Sequence, residues 1–330
     1  MMKNLRWPVL VAMVIGMGIA VWVIASVDFH EIVKGIVSVG SGGFLLICLC
    51  LIGVLGLLGA ALLAATPGEP MRRLPLFLWS RMAREAASDL LPFSQLGGLV
   101  VCTRVLRKGG ISHPRIYAAM IVDLTTEMLS QLFFTLFGLW MLSVAVLNPA
   151  TTHSLRPLVW IGALIALAMT LAFVFLQRPA LRLMGFLAQR LLPDLRIGID
   201  QLLDELAGVY RRHSAVAGAL LFNLLAWLAS AASAWLILWL MGSPIAFGHA
   251  VALESLIFAI RAVAFIIPGA LGIQEAGYAL LAPAFGLDPG IAVTLSLIKR
   301  AREIAIGLPA LVAWQVGEVR SGLRDTPHEA

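Results

Sequence analysis

Charge is scarce in this chain. Aspartate, glutamate, lysine and arginine make up only 13% of its 330 residues, where a water-soluble domain carries roughly 25%. That shortage excludes an ordinary soluble globule, whose surface needs more polar side chains than these. Cysteine is nearly missing too: Cys48, Cys50 and Cys102 are the three present, each among apolar neighbours. A disulfide framework or a cysteine metal site lacks the residues it needs, and the three read as small packing residues. Catalytic signatures are missing as well. The sequence holds no Gly-x-x-x-x-Gly-Lys-Ser/Thr phosphate loop, no His-Glu-x-x-His helix and no Gly-x-Ser-x-Gly turn. Its six histidines (His30, His113, His153, His213, His249 and His328) are scattered. No catalytic residue, metal or cofactor is therefore expected, nor direct use of ATP.

What is abundant is apolar length. Hydrophobic residues reach 60% and the mean hydropathy is +0.94. Continuous apolar runs cover 7–27, 43–65, 116–147, 158–177, 214–241 and 290–317, each near the ~20 residues that cross a bilayer as a helix. Two further regions are apolar but interrupted: 75–108 at LPFSQLGG and 250–285 at IPGALG. Proline and glycine there free backbone groups that need protein partners or a wet cavity. Each arm is short for a crossing, so each region reads as a re-entrant hairpin or as two kinked spans. The expected fold is an all-α polytopic membrane protein, with about six full spans and two such hairpins.

The basic residues follow a sidedness. With the N-terminus in the cytoplasm (Lys3, Arg6), the loops 66–74, 107–115 and 178–213 and the C-terminus are also cytoplasmic, and they carry most of the arginines. The opposite loops 148–157, 242–249 and 286–289 carry Arg156 alone, and 28–40 carries Lys34. That bias marks the cytoplasmic side of an inner membrane. The start, MMKNLRW followed by apolar residues, is expected to be an uncleaved first helix. Segment 178–213 alternates apolar and charged residues and is expected as an amphipathic linker on the cytoplasmic face.

The interrupted regions resemble each other. Glu85 precedes Pro92 by seven residues, and Arg261 precedes Pro268 by seven. Gly110 precedes Glu127 by seventeen, and Gly286 precedes Glu303 by seventeen. The topology enters one region from the cytoplasm and the other from outside, so 41–147 and 214–318 form an expected inverted pair within a single membrane domain of 1–330. Transporters use such pairs around a site at mid-membrane.

Ionisable residues interrupt the apolar regions: Arg81, Arg84, Glu85, Asp89, Arg104, Asp123, Glu127, Glu254, Arg261, Glu275, Lys299, Arg300, Arg302 and Glu303. Each costs about 2.5–3.5 kcal/mol at a helix centre, so each must face a partner, water or a polar ligand. Arg81 with Glu85, Asp123 with Glu127, and Lys299 with Glu303 share helix faces at four-residue spacing. Two readings stay open: a polar cavity for a ligand, or ion pairs that only lock helices together.

The stretch IPGALGIQEAGYALLAPAFGLDPGIAVTLSLIKRAREIAIGLPALVAW, with Pro268, Gly269, Gly272, Glu275, Gly286 and Arg300 or Arg302, resembles the transmembrane region of the lysylphosphatidylglycerol synthase family. LPFSQLGGLVVCTRVLRKGG, with Pro92, Gly97, Gly98 and Arg104, is similar to that family's other signature. Leu99 stands where an acidic residue often follows the glycine pair. QEAGY and SLIKRAREIAIGLPAL resemble the hopanoid-biosynthesis-associated members most. The resemblance implies a carrier that moves a polar-headed lipid, hopanoid or phospholipid, between leaflets. The expected headgroup site is Arg84, Arg104, Asp123, Glu127, Arg261, Glu275, Arg302 and Glu303. Pro92, Gly97, Gly98, Pro268, Gly269 and Gly272 are expected to allow hinge motion and close backbone approach. Lysyl transfer is not expected. A membrane-embedded enzyme that modifies a lipid headgroup, or a scaffold for hopanoid-biosynthesis enzymes, is the alternative. A homodimer stays open as an assembly, and nucleic acid is not an expected partner.

Overall fold

The computed structural model of the chain describes residues 29–90, 94–145, 194–263 and 270–324, with scattered positions between 164 and 179. The expected span 7–27, most of the span 158–177 and of the linker half 178–193, and Pro92, Pro268 and Gly269 lie outside the described residues.

The described elements are nine α-helices: α1 (Phe29–Ala64), α2 (Leu74–Leu90), α3 (Ser94–Lys108), α4 (His113–Ala145), α5 (Asp194–Arg211), α6 (His213–Leu240), α7 (Phe247–Val263), α8 (Ile273–Leu281) and α9 (Pro289–Arg324). Short 3₁₀ turns occupy Met71–Arg73 and Ala282–Phe285, and no strand occurs among the described residues. Helix is what the apolar runs dictate, because it closes every backbone hydrogen bond within the segment. Val37–Ala64, His113–Val144 and His213–Leu240 are long and apolar enough to cross a bilayer, with mean hydropathies of 2.8, 1.4 and 1.8. Helix α9 is 36 residues long, about 54 Å at the helical rise, but carries Lys299, Arg300, Arg302 and Glu303 in its middle. The chain is an all-α polytopic membrane protein.

One boundary differs from expectation. The stretch 28–40, expected as a loop, is helical from Phe29 onward. The backbone breaks at Gly40, where φ is 60° and ψ is 176°. Glycine is the residue that adopts such a φ without steric cost, so the helix bends there before the apolar run begins.

Each interrupted region carries two described helices, α2 and α3 in the first and α7 and α8 in the second. Helices α2 and α3, of 17 and 15 residues, are about 25 and 22 Å long, short of the ~30 Å hydrocarbon core. Helix α8 has nine residues. Helix α3 lies close against α2. A Cβ on Gly98 would fall on Ser88 Oγ and within 2.7 Å of the Arg84 carbonyl oxygen, whereas one on Gly97 would meet nothing within 4 Å.

Two large apolar cores form, beside smaller clusters around Ala83 and Val101 and around Phe134 and Val251. One gathers Ile47, Ile237, Leu238, Leu253, Leu256 and Leu295. The other gathers Leu62, Phe77, Leu106, Ile116, Leu206 and Ala219. Helices α1 and α6 run antiparallel through both. Amphipathic α5 belongs to the second core: Leu202, Leu206 and Val209 are buried there, and the Tyr210 hydroxyl lies 3.2 Å from Thr125 Oγ1. Its apolar stripe is thus filled by protein. At the adjoining turns, Arg115 pairs with Glu69 at 2.9 Å and donates to the Pro67 carbonyl at 2.7 Å.

The glycine pair makes a prediction. Gly98→Ala forces α3 off α2 and costs about 1–3 kcal/mol by overpacking. Gly97→Ala meets open space and leaves stability unchanged or slightly raised. Thermal unfolding of the two variants in detergent, followed by intrinsic fluorescence, checks the contrast.

Candidate functional site

Between the two apolar cores lies a layer of charge. The middle of α1 and α6 passes through it, and α2, α4, α7 and α9 bring the ionisable groups. Asp123 is ten residues into α4, about 15 Å along its axis, half the thickness of a hydrocarbon core.

Helix α2 supplies Arg81 and Arg84, both buried, and α4 supplies their carboxylates. Arg81 Nη1 donates to Asp123 Oδ2 at 2.8 Å, and Nη2 reaches both oxygens of Glu127 at 3.0 Å. Its Nε lies 3.0 Å from Glu85 Oε1, one turn along the same helix. Arg84 shares the same acids, at 3.3 Å from Asp123 and 3.5 Å from Glu127. Nearby, Asn223 of α6 donates to Thr126 Oγ1 at 3.0 Å.

The second half answers with three groupings. Arg261 of α7 sits between Asp89 of α2, at 3.3 Å, and Glu303 of α9, at 3.8 Å. Glu254 of α7 is fully buried and accepts from Lys299 Nζ at 2.5 Å and from the Tyr278 hydroxyl of α8. Lys299 also reaches that hydroxyl oxygen at 2.8 Å. Arg300 Nε donates to Glu275 Oε1 at 2.5 Å, and Glu275 Oε2 accepts the Gly272 backbone N–H at 2.8 Å. Glu275 thus caps the first turn of α8 and ties it to α9.

A cavity of about 140 Å³ opens onto this layer. Arg81, Glu85, Asp89, Glu127, Arg261, Lys299, Arg302 and Glu303 form its charged wall, and Leu51, Val54, Leu55 and Leu58 of α1 its apolar wall. Trp227 and Phe258 also line it, packed edge to face with ring centroids 4.3 Å apart. Lys299 Nζ stands 5.4 Å from the Phe258 ring centre.

The expected headgroup residues divide in three. Glu127, Arg261, Arg302 and Glu303 line the cavity. Arg84 and Asp123 lie behind them in the ion-pair lattice. Arg104 and Glu275 are elsewhere. Arg104 is 59% exposed and lies 4.0 Å from Glu318 of α9, and Glu275 is held by Arg300 and its own helix terminus. Gly272, with φ of 78°, is the N-cap of α8. Arg81, Glu85, Asp89 and Lys299 line the cavity although they were not among the headgroup expectations. Their charge in an apolar region was the available signal. Trp227 and Phe258 carried none, being aromatic residues in apolar helices.

This is the construction of a polytopic helical membrane protein that turns its ionised groups onto one internal space. A family model described as the Lysylphosphatidylglycerol synthase TM region matches residues 9–310, and the chain belongs to that family. Comparison with curated proteins and with solved structures gives no match.

The lattice should be costly to disrupt where it is buried. Removing one partner of a buried pair leaves a stranded charge, so Arg81→Ala should lose about 3–5 kcal/mol. Arg104→Ala, at an exposed pair, should change stability by less than about 1 kcal/mol. Unfolding by sodium dodecyl sulfate titration in mixed micelles measures both.

Proposed function

We propose that the protein is a lipid translocase of the bacterial inner membrane, moving a polar-headed lipid between leaflets, with both chain termini in the cytoplasm. The observation that carries this reading is the cavity itself. It sets eight charged side chains against an apolar helix face, which is the duality of a lipid headgroup joined to hydrocarbon. Its volume of about 140 Å³ resembles the ~150 Å³ that admits a benzene-sized group. It takes a headgroup fragment, and the tails stay in the bilayer.

An inverted pairing of 41–147 with 214–318 supports alternation between two states. Glu85 with Arg261, Asp123 with Lys299, and Glu127 with Glu303 stand at one common spacing. Gly110 and Gly286 both turn with positive φ, 84° and 79°, ahead of a long charged helix. Repeats of this kind rock around a fixed central site. The resemblance to hopanoid-associated members makes a hopanoid-related lipid the favoured cargo, and a gradient or downstream consumption of the lipid the drive.

Leaflet-resolved accessibility of a labelled lipid in vesicles holding the purified protein tests the proposal. The expected result is transfer between leaflets with the lipid chemically unchanged, and its loss on Arg261→Ala or Glu303→Ala in protein that still elutes as a folded species. A chemically altered lipid would favour the enzyme instead. Neither movement nor alteration would favour the scaffold.

A further inference from the structure

The charged wall of the cavity is uneven in what it shows to the space. Arg81, Lys299 and Arg302 are buried. Asp89 of α2 and Glu303 of α9 have side chains 26% and 17% exposed, and Arg261 of α7 stands between them. Two accessible carboxylates thus share one guanidinium. Asp89 accepts from it at 3.3 Å. Glu303 approaches it only to 3.8 Å, and no donor forms a hydrogen bond to Glu303 among the described residues. Lys299, one turn earlier on α9, is taken by Glu254 instead.

The layer as a whole is short of positive charge. Glu85, Asp89, Asp123, Glu127, Glu254 and Glu303 make six carboxylates, against five cations in Arg81, Arg84, Arg261, Lys299 and Arg302. Arg300 does not close the gap, being matched by Glu275. A second acid shows the same shortage: Asp123 is fully buried, and its Oδ1 has no donor. Around Asp89, Arg261 and Glu303 stand Glu85 of α2, Glu127 of α4, Tyr278 of α8, and Arg300 and Arg302 of α9. The α1 and α6 residues that line the cavity carry no ionisable group.

An unmatched charge in an apolar layer is costly, and a carboxylate cancels it by taking up a proton. We infer that Asp89, Arg261 and Glu303 form a proton-binding site, in which the two carboxylates share one exchangeable proton, and that this proton is the coupling ion of the carrier. The step is a plain transfer. A carboxylate oxygen takes a proton from cavity water, an O–H bond forms and one negative charge disappears; the reverse returns the proton to water. A metal ion is the poorer occupant, because no three His, Cys, Asp or Glu side chains are grouped to hold one among the described residues. The proton also sets a link between helices. With both acids ionised, Arg261 bridges α2 to α9. With either one protonated, Arg261 keeps a single charged partner and the bridge opens. The coupling role rests on the translocase reading; proton binding itself does not.

The test has two arms, both on the full chain. In detergent, infrared difference spectroscopy across a pH titration reads the carbonyl band of a protonated carboxyl. The wild type should show one such band that disappears as the pH rises. Glu303→Gln and Asp89→Asn should each lose it, because Arg261 then has a single carboxylate to match. Arg107→Gln, at an exposed site, should keep it. In vesicles with the membrane potential clamped, a tail-labelled phosphatidylglycerol is the probe. One proton per lipid shifts its distribution between leaflets by up to about tenfold for each pH unit of gradient, and both variants should abolish that shift. A wild type with no titrating band overturns the inference, as does a band that survives in both variants. If neither variant folds, the wild type decides: a titrating band with transfer that follows the pH gradient supports the inference, and transfer that follows a sodium gradient instead overturns it. A titrating band lost in the variants, with no leaflet transfer, leaves the proton site standing and sinks the carrier. Leaflet transfer indifferent to the pH gradient sinks the coupling and leaves the carrier.

Discussion

Ionised side chains in a hydrocarbon solvent must find one another, and most of this fold follows from that constraint. The contact between Arg81 and Asp123 is its centre: both groups are fully buried, on helices far apart in sequence. Apolar packing gives little preference for one helix neighbour over another where lipid tails are equally apolar. Charge does discriminate. Among the described helices in contact with α2, α4 presents two carboxylates one turn apart to its two arginines, and α2 is drawn there. The same logic brings α7, α8 and α9 together around Glu254, Tyr278 and Lys299.

The ion pairs also explain why a cavity persists. Side chains drawn toward their partners on α2, α4, α7 and α9 leave the facing stretch of α1 with nothing polar to meet. Leu51, Val54, Leu55 and Leu58 therefore form a wall that borders the charged layer without filling it. Above and below, the two apolar cores close around α1 and α6. Glycine sets how near the arms come: Gly98 lets α3 touch α2, and Gly138 of α4 faces Ala252 and Ser255 of α7 closely enough that a Cβ would clash.

Much of this was legible in the residues. Apolar run length marked the three described helices long enough to cross, and the interrupted regions marked where pairs of shorter helices stand. The four-residue spacing of Asp123 and Glu127 gave one face of the lattice. What was not legible was which charge faces which way. Arg104 sits in an apolar stretch, but the packing of α3 leaves it exposed beside Glu318 of α9. Glu275 reads as an intramembrane acid. Its place at the third position of α8 makes it a cap for its own helix, a role visible only once Gly272 is seen to start that helix. Glu254 was marked as a charge inside an apolar helix, but its partners, Lys299 and Tyr278, lie on α9 and α8, beyond any local pattern.

The manner of pairing carries a last consequence. Arg81 contacts three acids, Glu127 contacts two arginines, and Arg261 stands between Asp89 of α2 and Glu303 of α9. A shared network of this kind tolerates a shift of one helix against another, because a cation that loses one carboxylate still holds a second. A single buried pair has no such tolerance, since separating it strands both charges. The Glu254–Lys299 pair is of the second type and binds α7 to α9. The contacts of α2 with α4, and of α2 with α7, are of the first. Electrostatics alone therefore divides the molecule into a unit around α7, α8 and α9 that resists internal movement and a seam along α2 that does not. The cavity lies on that seam, with Arg302 on the side of the rigid unit.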